Sequence, residues 1–121
     1  MFYVYRASVV HIVDGDTVDI DVHLGFDVTV RSRFRLDGID APESYGARAS
    51  DEGRAAKQYL ADTIPPGTSV AVRTIKDRRE KYGRYLAEIY LLGEDGQPLD
   101  ASVNQMLIDA GHARPYTGGA R

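Results

Sequence analysis

The sequence predicts a single mainly β domain with helices, an α+β fold, on the strength of three observations. The first forty residues alternate between apolar and polar side chains, which is the period of a half-buried strand. Two later segments repeat apolar residues at helical spacing and carry cap residues at their ends. The chain has 121 residues, of which 43% are hydrophobic and 27% charged, so it can fill one hydrophobic core.

Three strands are predicted before the first helix. A β-rich run covers residues 3–13 and breaks at Asp14-Gly15-Asp16, which is a turn signature. Clean alternation then covers 18–24 and 28–36, with Gly25 between the two segments. We therefore expect these two segments to form an antiparallel hairpin.

Two helices and two further strands are predicted in the remainder of the chain. Ser50 is a suitable N-cap for the first helix, which two consecutive prolines end. Ser102 and Gln105 form a capping box for the second helix, and Gly111 supplies its C-terminal cap. The expected order is a helix at 50–64, strands at 69–75 and 85–92, and a helix at 102–110.

This order of elements predicts the architecture. Five short strands with a helix inserted after the third indicate a small five-stranded barrel of the OB type with two or three packed helices. We expect residues 1–116 to form one domain and residues 117–121 to fray. A monomer is the default expectation.

Composition excludes several classes of function. The chain has no cysteine, which removes disulfides, thiolate metal sites and a cysteine nucleophile. No apolar run is long enough to cross a bilayer, so no membrane partner is expected. The first residues lack the features of a signal peptide, which favours a cytoplasmic protein, although secretion after removal of a leader stays open.

The charge distribution is more informative than the net charge of -3. Residues 76–84 carry five cations against two acids, and a second basic row is formed by Arg31, Arg33 and Arg35. A solvated surface is the usual explanation for either run taken alone. Local concentrations of cations, rather than the net charge, decide whether a nucleic-acid partner is attracted.

Two acidic segments follow predicted strands. In Asp14-Gly15-Asp16-Thr17, two carboxylates around a glycine can direct oxygen atoms at a hard cation, although the same tetrapeptide is also an ordinary turn. In residues 35–43, a strand delivers Arg35, and Asp40 and Glu43 follow on a loop that Pro42 stiffens. The alternative for this second segment is a simple ion pair of Arg35 with an aspartate and a solvated Glu43.

A third segment, Lys81-Tyr82-Gly83-Arg84, places cations and an aromatic ring beside a flexible glycine. Such residues suit a phosphate and a stacked base, but a loop entering a strand is the default explanation. Taken together, the three segments provide what phosphodiester hydrolysis needs. They supply oxygen ligands for a cation, a carboxylate to activate water, and guanidinium groups for the charge that grows on phosphorus.

At these residues the chain resembles the staphylococcal-nuclease family. The matching stretches are residues 13–18, 35–43 and 82–87, with a weaker match at 103–111, and their order agrees over most of the chain. The resemblance implies an OB barrel and calcium-dependent hydrolysis of DNA and RNA. Oxygen ligands suit magnesium and manganese as well as calcium, so the choice of calcium depends on the resemblance.

The resemblance also implies roles for individual residues. Asp16, Asp40 and the backbone carbonyl of Ala41 match the calcium ligands. Glu43 matches the general base, and Arg35 and Arg84 match the arginines that hold the scissile phosphate. The positions that match residues near the nucleotide are Lys81, Tyr82 and Tyr116.

The chain also departs from the family pattern. The loop at 44–49 is shorter than in the best-known member, and the net charge is acidic rather than basic. We also expect a third helix to be missing or vestigial. The alternatives to a nuclease are a non-catalytic OB-type module that binds single-stranded nucleic acid and a protein-interaction domain. The intact acids at 16, 40 and 43 argue against nucleic-acid binding alone, because they would repel a polyanion unless a cation lay among them.

Overall fold

The computed structural model describes residues 2–79 and 84–117. In these residues the longer elements follow the predicted order of three strands, helix, two strands and helix. The bounds are β1 Phe2–Asp14, β2 Thr17–Gly25, β3 Val28–Leu36, β4 Ile39–Asp40, α1 Asp51–Thr63, β5 Ser69–Arg79, β6 Tyr85–Leu91, α2 Val103–Asp109 and β7 Arg114–Pro115.

Five of the strands form a closed barrel in the order β1-β2-β3-β6-β5, which confirms the predicted OB-type architecture. β2 and β3 pair as the antiparallel hairpin expected from their alternation. β1 pairs with both β2 and β5, and β5 pairs with β6, all antiparallel. The ring is completed by a short parallel contact between 34–36 of β3 and 85–87 of β6.

The barrel interior is filled by the apolar residues of the alternating strands. Val18, Ile20 and Val22 of β2 are buried, as are Phe34 and Leu36 of β3. The two helices add side chains to the same core, and α1 packs on β1 and on α2. The buried residues of the helices and their ends include Leu60, Ile64, Val103 and Leu107.

The two predicted N-caps are present, whereas the Gln105 side chain of the predicted capping box donates to Oδ1 of Asp109 at 2.8 Å. The side chain of Ser50 accepts a hydrogen bond from the Gly53 N–H, and Ser102 accepts one from the Gln105 N–H. Gly111 has a φ of 81°, the left-handed conformation that ends α2. In the part of the chain that the structure describes, no helix is both long and apolar enough to cross a bilayer.

Two features differ from the prediction. β5 continues to Arg79, past its expected end at residue 75. β4 and β7 were not predicted, and they form a separate two-stranded sheet in which Asp40 lies opposite Arg114. A strand of two residues has no alternation to detect, so only the folded backbone reveals it.

A buried asparagine connects α2 to the segment that leads into β4. The Asn104 side chain accepts a hydrogen bond from the Ile89 N–H at 3.1 Å. Its amide donates to the carbonyl oxygens of Asp37 at 2.8 Å and Ala87 at 3.0 Å. Because its hydrogen-bonding groups are satisfied inside the protein, Asn104 holds the turn after β3 in a fixed position.

Two glycines allow α1 to lie directly against the chain around β4. A Cβ atom on Gly53 would lie 1.7 Å from the carbonyl oxygen of Glu43, which is an impossible contact. A Cβ atom on Gly15 would lie 2.8 Å from the Cβ of Ala56 and 3.0 Å from that of Ala41. The absence of these side chains therefore brings the β1–β2 turn, the loop at 41–43 and α1 into contact.

We predict that Gly53→Ala lowers the free energy of unfolding by about 1–3 kcal/mol, the usual cost of an overpacked contact. Alanine has a higher intrinsic helix propensity than glycine, which by itself would raise the free energy of unfolding. A lower free energy of unfolding can therefore be attributed to the steric contact of the added Cβ atom. Urea denaturation measures it. Gln58→Ala on the exposed face of α1 is the control, and a Gly53→Ala protein as stable as this control would contradict the close approach.

Candidate active site

Strand pairing places Arg35 beside the turn that contains Asp16. Arg35 of β3 lies opposite Thr17, the first residue of β2. The Leu36 N–H donates to the carbonyl oxygen of Asp16 at 2.8 Å, so the backbone pairing of β2 with β3 extends to Asp16. Both side chains are at the end of the barrel and are buried, with Arg35 at 5% exposure and Asp16 at 3%.

The Arg35 guanidinium joins two carboxylates from different parts of the chain. Its Nη1 lies 2.6 Å from Oδ1 of Asp16, and its Nη2 donates to Oδ1 of Asp40 at 2.9 Å. The side chains of the two predicted metal ligands, Asp16 and Asp40, therefore contact the same guanidinium. The Arg35 Nε is also buried, and among the described residues it has no hydrogen-bond partner.

The second oxygen of Asp16 fixes the loop that follows β4. Oδ2 of Asp16 accepts a hydrogen bond from the Ala41 N–H at 2.9 Å. The Glu43 carbonyl accepts one from the Ser50 N–H at 3.2 Å, which closes the loop against the start of α1. Asp16, Ala41 and Glu43 are thus held by hydrogen bonds to neighbouring segments rather than by the loop alone.

Asp14 and Glu43 bring two further carboxyl groups to the same place. Partial desolvation, a hydrogen bond with the Asp14 carboxyl, and the negative charges of Asp14 and Asp16 raise the pKa of Glu43, whereas the Arg35 charge acts against the rise. The neighbouring carboxyl groups therefore disfavour the charged form of Glu43.

Arg84 reaches this cluster through a threonine. Its Nη1 donates to Oγ1 of Thr17 at 3.3 Å, and the same hydroxyl donates to Oδ1 of Asp16 at 3.1 Å. Arg84 is half-buried and directly precedes β6.

These side chains line one cavity of about 820 Å³. Acids and arginines line it together, and a phosphate ester held beside a cation would need both kinds of group. The charged residues that line it are Asp14, Asp16, Arg33, Arg35, Asp40, Glu43, Arg48, Arg84 and Arg114.

The acidic side of the cavity fits a hard divalent cation. All its donors are oxygen atoms, and each carboxylate oxygen has more than one lone pair, so the contacts with Arg35 leave acceptor capacity. Among residues 2–79 and 84–117, no three Asp, Glu or His side chains are arranged to hold an ion by themselves. The Ala41 carbonyl and water molecules would therefore have to complete the coordination of Asp16 and Asp40.

The structure brings together most of the residues proposed from the sequence. Six of them lie in the cavity, namely Asp16, Arg35, Asp40, Ala41, Glu43 and Arg84. Tyr116 does not line it, although the Tyr116 N–H donates to the Gly38 carbonyl beside β4. Lys81 and Tyr82 lie outside the described residues, so their proposed contact with the nucleotide stays a prediction.

Sequence reasoning missed two charged residues of the cavity that contact the acids. Asp14 was considered with Asp16 as a possible source of oxygen ligands but was given no role of its own, although it is the last residue of β1 and is buried at 7% exposure. No sequence pattern near Arg114 indicated a role in the site, because this residue contacts Asp40 only through the unpredicted pairing of β7 with β4.

We predict that Glu43→Gln raises the melting temperature of the cation-free protein at about pH 7, and that the gain disappears towards about pH 4. The pKa of Glu43 is raised in the folded state, so ionising this carboxyl lowers stability as the pH rises through that value. At low pH the carboxyl is protonated in both states and the difference vanishes. Melting curves in chelator across this pH range provide the measurement.

Glu94→Gln is the matched control, because Glu94 is an exposed acid that does not line the cavity. Its melting temperature should follow that of the unchanged protein at each pH. A Glu43→Gln protein that gains nothing at neutral pH, or gains equally at both pH values, would contradict the crowding of Glu43 by Asp14 and Asp16.

The chain is similar to known proteins over most of its length. The family model described as staphylococcal nuclease homologue matches residues 33–120. The endonuclease YhcR of Bacillus subtilis is 30% identical over 119 residues, which cover 93% of this chain and 9% of that protein. The micrococcal nuclease of Shigella flexneri is 35% identical over 115 residues, which cover 93% of this chain and 59% of that protein.

The chain therefore spans less than two thirds of each of these relatives, and its likeness to them concerns the barrel with its cavity. The family model covers most of the sequence and includes Arg35, Asp40, Glu43 and Arg84 of the cavity. The chain belongs to the staphylococcal nuclease homologue family.

Proposed function

We propose that this protein hydrolyses phosphodiester bonds of DNA, RNA or both with the help of a bound calcium ion. The observation that carries the proposal is the convergence of Arg35 and Arg84 with Asp16, Asp40 and Glu43 in one cavity. A phosphate ester carries negative charge that increases as water attacks. A site that combines guanidinium groups with a water-activating carboxylate suits that reaction.

Asp16, Asp40 and the Ala41 carbonyl are the groups we assign to the calcium ion. The Asp16–Ala41 hydrogen bond and the shared contact with Arg35 hold these groups together before any ligand binds. Calcium prefers several oxygen ligands at flexible geometry, and when bound it would offset charge on the phosphate. Magnesium and manganese accept the same donors, so metal exchange belongs in any test.

Glu43 is our candidate for the base that takes a proton from the attacking water. Its carboxyl must be ionised to do so, and its raised pKa makes it a stronger base than an isolated glutamate once it is ionised. The closed loop against Ser50 and the contact with Gly53 keep its backbone in place. Such pre-set geometry is what general base catalysis requires.

Arg35 and Arg84 are our candidates for the groups that stabilise the five-coordinate phosphorus. Arg35 is oriented by two carboxylates, and Arg84 is oriented by the Thr17 hydroxyl. The buried Nε of Arg35 has no hydrogen-bond partner among the described residues. Donors held in fixed positions stabilise developing charge without reorganising during the reaction.

Substrate binding beyond the scissile phosphate is assigned to Lys81, Tyr82 and Tyr116 as predictions from the sequence. The arginines at the cavity supply local positive charge despite the net charge of -3. Each phosphate that these cations contact releases counterions on binding, so affinity should fall as salt is raised.

The test is cleavage of plasmid DNA and of a single-stranded RNA in calcium, followed on a gel. We expect both Glu43→Gln and Arg84→Ala to lower turnover by about 10²-fold or more, since each removes a group that acts in the transition state. Chelator should abolish cleavage. Glu94→Gln and Arg31→Gln lie outside the cavity and should retain the rate of the unchanged protein.

Unchanged turnover in Glu43→Gln or Arg84→Ala would refute the assigned roles, and cleavage that persists in chelator would refute the role of the metal. Calcium-dependent binding without cleavage in the unchanged protein would favour a nucleic-acid-binding module. Neither binding nor cleavage of either polymer would favour a protein-interaction domain.

A further inference from the structure

We propose that Arg114 binds a second phosphate of the polynucleotide, adjacent to the phosphate that faces Arg35 and Arg84, and that Asp40 holds Arg114 in place until substrate and cation bind. This inference rests on the proposed function. It assigns to β7 a role in holding a strand of nucleic acid that extends beyond the cavity.

The backbone presents Arg114 at the edge of the cavity. Arg114 of β7 lies directly opposite Asp40 of β4, so the two side chains are cross-strand neighbours. Pro115 lies opposite Ile39, and the Tyr116 N–H donates to the Gly38 carbonyl at 2.8 Å. These contacts hold β7 in register, and the direction of the Arg114 side chain follows from that register.

The two carboxylate oxygen atoms of Asp40 contact arginines that differ in burial. On the inner side, Arg35 is 6% exposed and donates to Oδ1 at 2.9 Å. On the outer side, the Arg114 side chain is 69% exposed, and its Nε and Nη2 lie 3.4 Å and 3.1 Å from Oδ2. An exposed ion pair with long contacts is weak, so Arg114 can exchange Asp40 for another anion whereas Arg35 stays in place.

Arg114 also lies where two cavities meet. The first is the cavity of about 820 Å³ described above, and the second is a groove of about 410 Å³ at the end of α2. The second groove is lined by Gly111, His112 and Ala113, and both cavities share Asp40, Ala41, Pro42 and Arg114. A strand bound at the scissile position would cross Arg114 if it continued into the second groove.

The chemistry of a guanidinium matches this position. Arginine donates hydrogen bonds in a planar fork that fits a phosphate as well as a carboxylate. A divalent ion held by Asp40 would compensate the charge that attracts Arg114, which would leave the guanidinium available for phosphate. The contact with Asp40 in the present structure is then the resting arrangement of a phosphate-binding residue.

Two measurements with opposite expected signs test this proposal. In the Glu43→Gln background, which spares the substrate, Arg114→Gln should weaken binding of a short oligothymidylate in calcium. It should also lower the slope of log affinity against log salt by about 0.7, the contribution of one phosphate contact on a single strand.

Without nucleic acid, Arg114→Gln should bind calcium about two- to five-fold more tightly by calorimetry, because Asp40 has lost a competing cation.

Arg31→Gln in the same background is the matched control. Arg31 forms a similarly exposed pair with Asp21, at 66% and 25% side-chain exposure, but it does not line either cavity. The substitution changes the net charge equally, so both the salt slope and the calcium affinity should equal those of the background protein.

The outcomes separate this inference from the proposed function. Equal salt slopes in the Arg114→Gln and Arg31→Gln proteins, with calcium-dependent oligonucleotide binding intact, would overturn the role of Arg114 and leave the proposed function standing. A background protein that binds no oligonucleotide in calcium would overturn both. Weaker calcium binding in Arg114→Gln would show that the arginine supports the acidic site rather than competing for Asp40.

Discussion

The buried guanidinium of Arg35, bound to Asp16 and Asp40 at once, is the interaction on which the rest of the site depends. The side chains are 6%, 4% and 20% exposed, so all three charges are largely removed from water. Removing one member of such a cluster leaves an uncompensated buried charge, at a typical cost of about 3–5 kcal/mol. The contact also joins the β1–β2 turn to β4, two segments that are far apart in the sequence.

The barrel makes this interaction possible. The register of β2 with β3 sets Arg35 opposite Thr17, and the small sheet of β4 with β7 holds Asp40 nearby. Gly53 permits α1 to press against the Glu43 carbonyl, which places a further carboxyl beside Asp14. The repulsion of Glu43 by Asp14 and Asp16 destabilises the empty protein, and a bound cation would relieve it, so the protein gives up stability here for function.

Much of the fold could be predicted from the sequence, for identifiable reasons. Alternation over 18–24 and 28–36 located a hairpin, because one face of each strand is buried in the barrel. Ser50 and Ser102 marked the helix starts, because their side chains satisfy backbone N–H groups there. The parallel contact of β3 with β6 is a long-range pairing that no local pattern specifies.

The candidate site could be predicted in part. Motifs at strand ends identified Asp16, Arg35, Asp40, Glu43 and Arg84, and the fold brings them together because each lies at or near the same end of the barrel. Asp14 was not assigned, since its effect on Glu43 depends on a contact across the fold. Arg114 was missed because β7 is too short to show a pattern.

The most direct test is the position of calcium in crystals grown with the ion, located by its anomalous scattering at long wavelength. The account predicts a peak contacted by the carboxylates of Asp16 and Asp40 and by the Ala41 carbonyl, on the acidic side of the cavity that Arg35 and Arg84 also line. A cavity without a peak, at calcium concentrations that support cleavage, or a peak bound elsewhere on the protein, would contradict it.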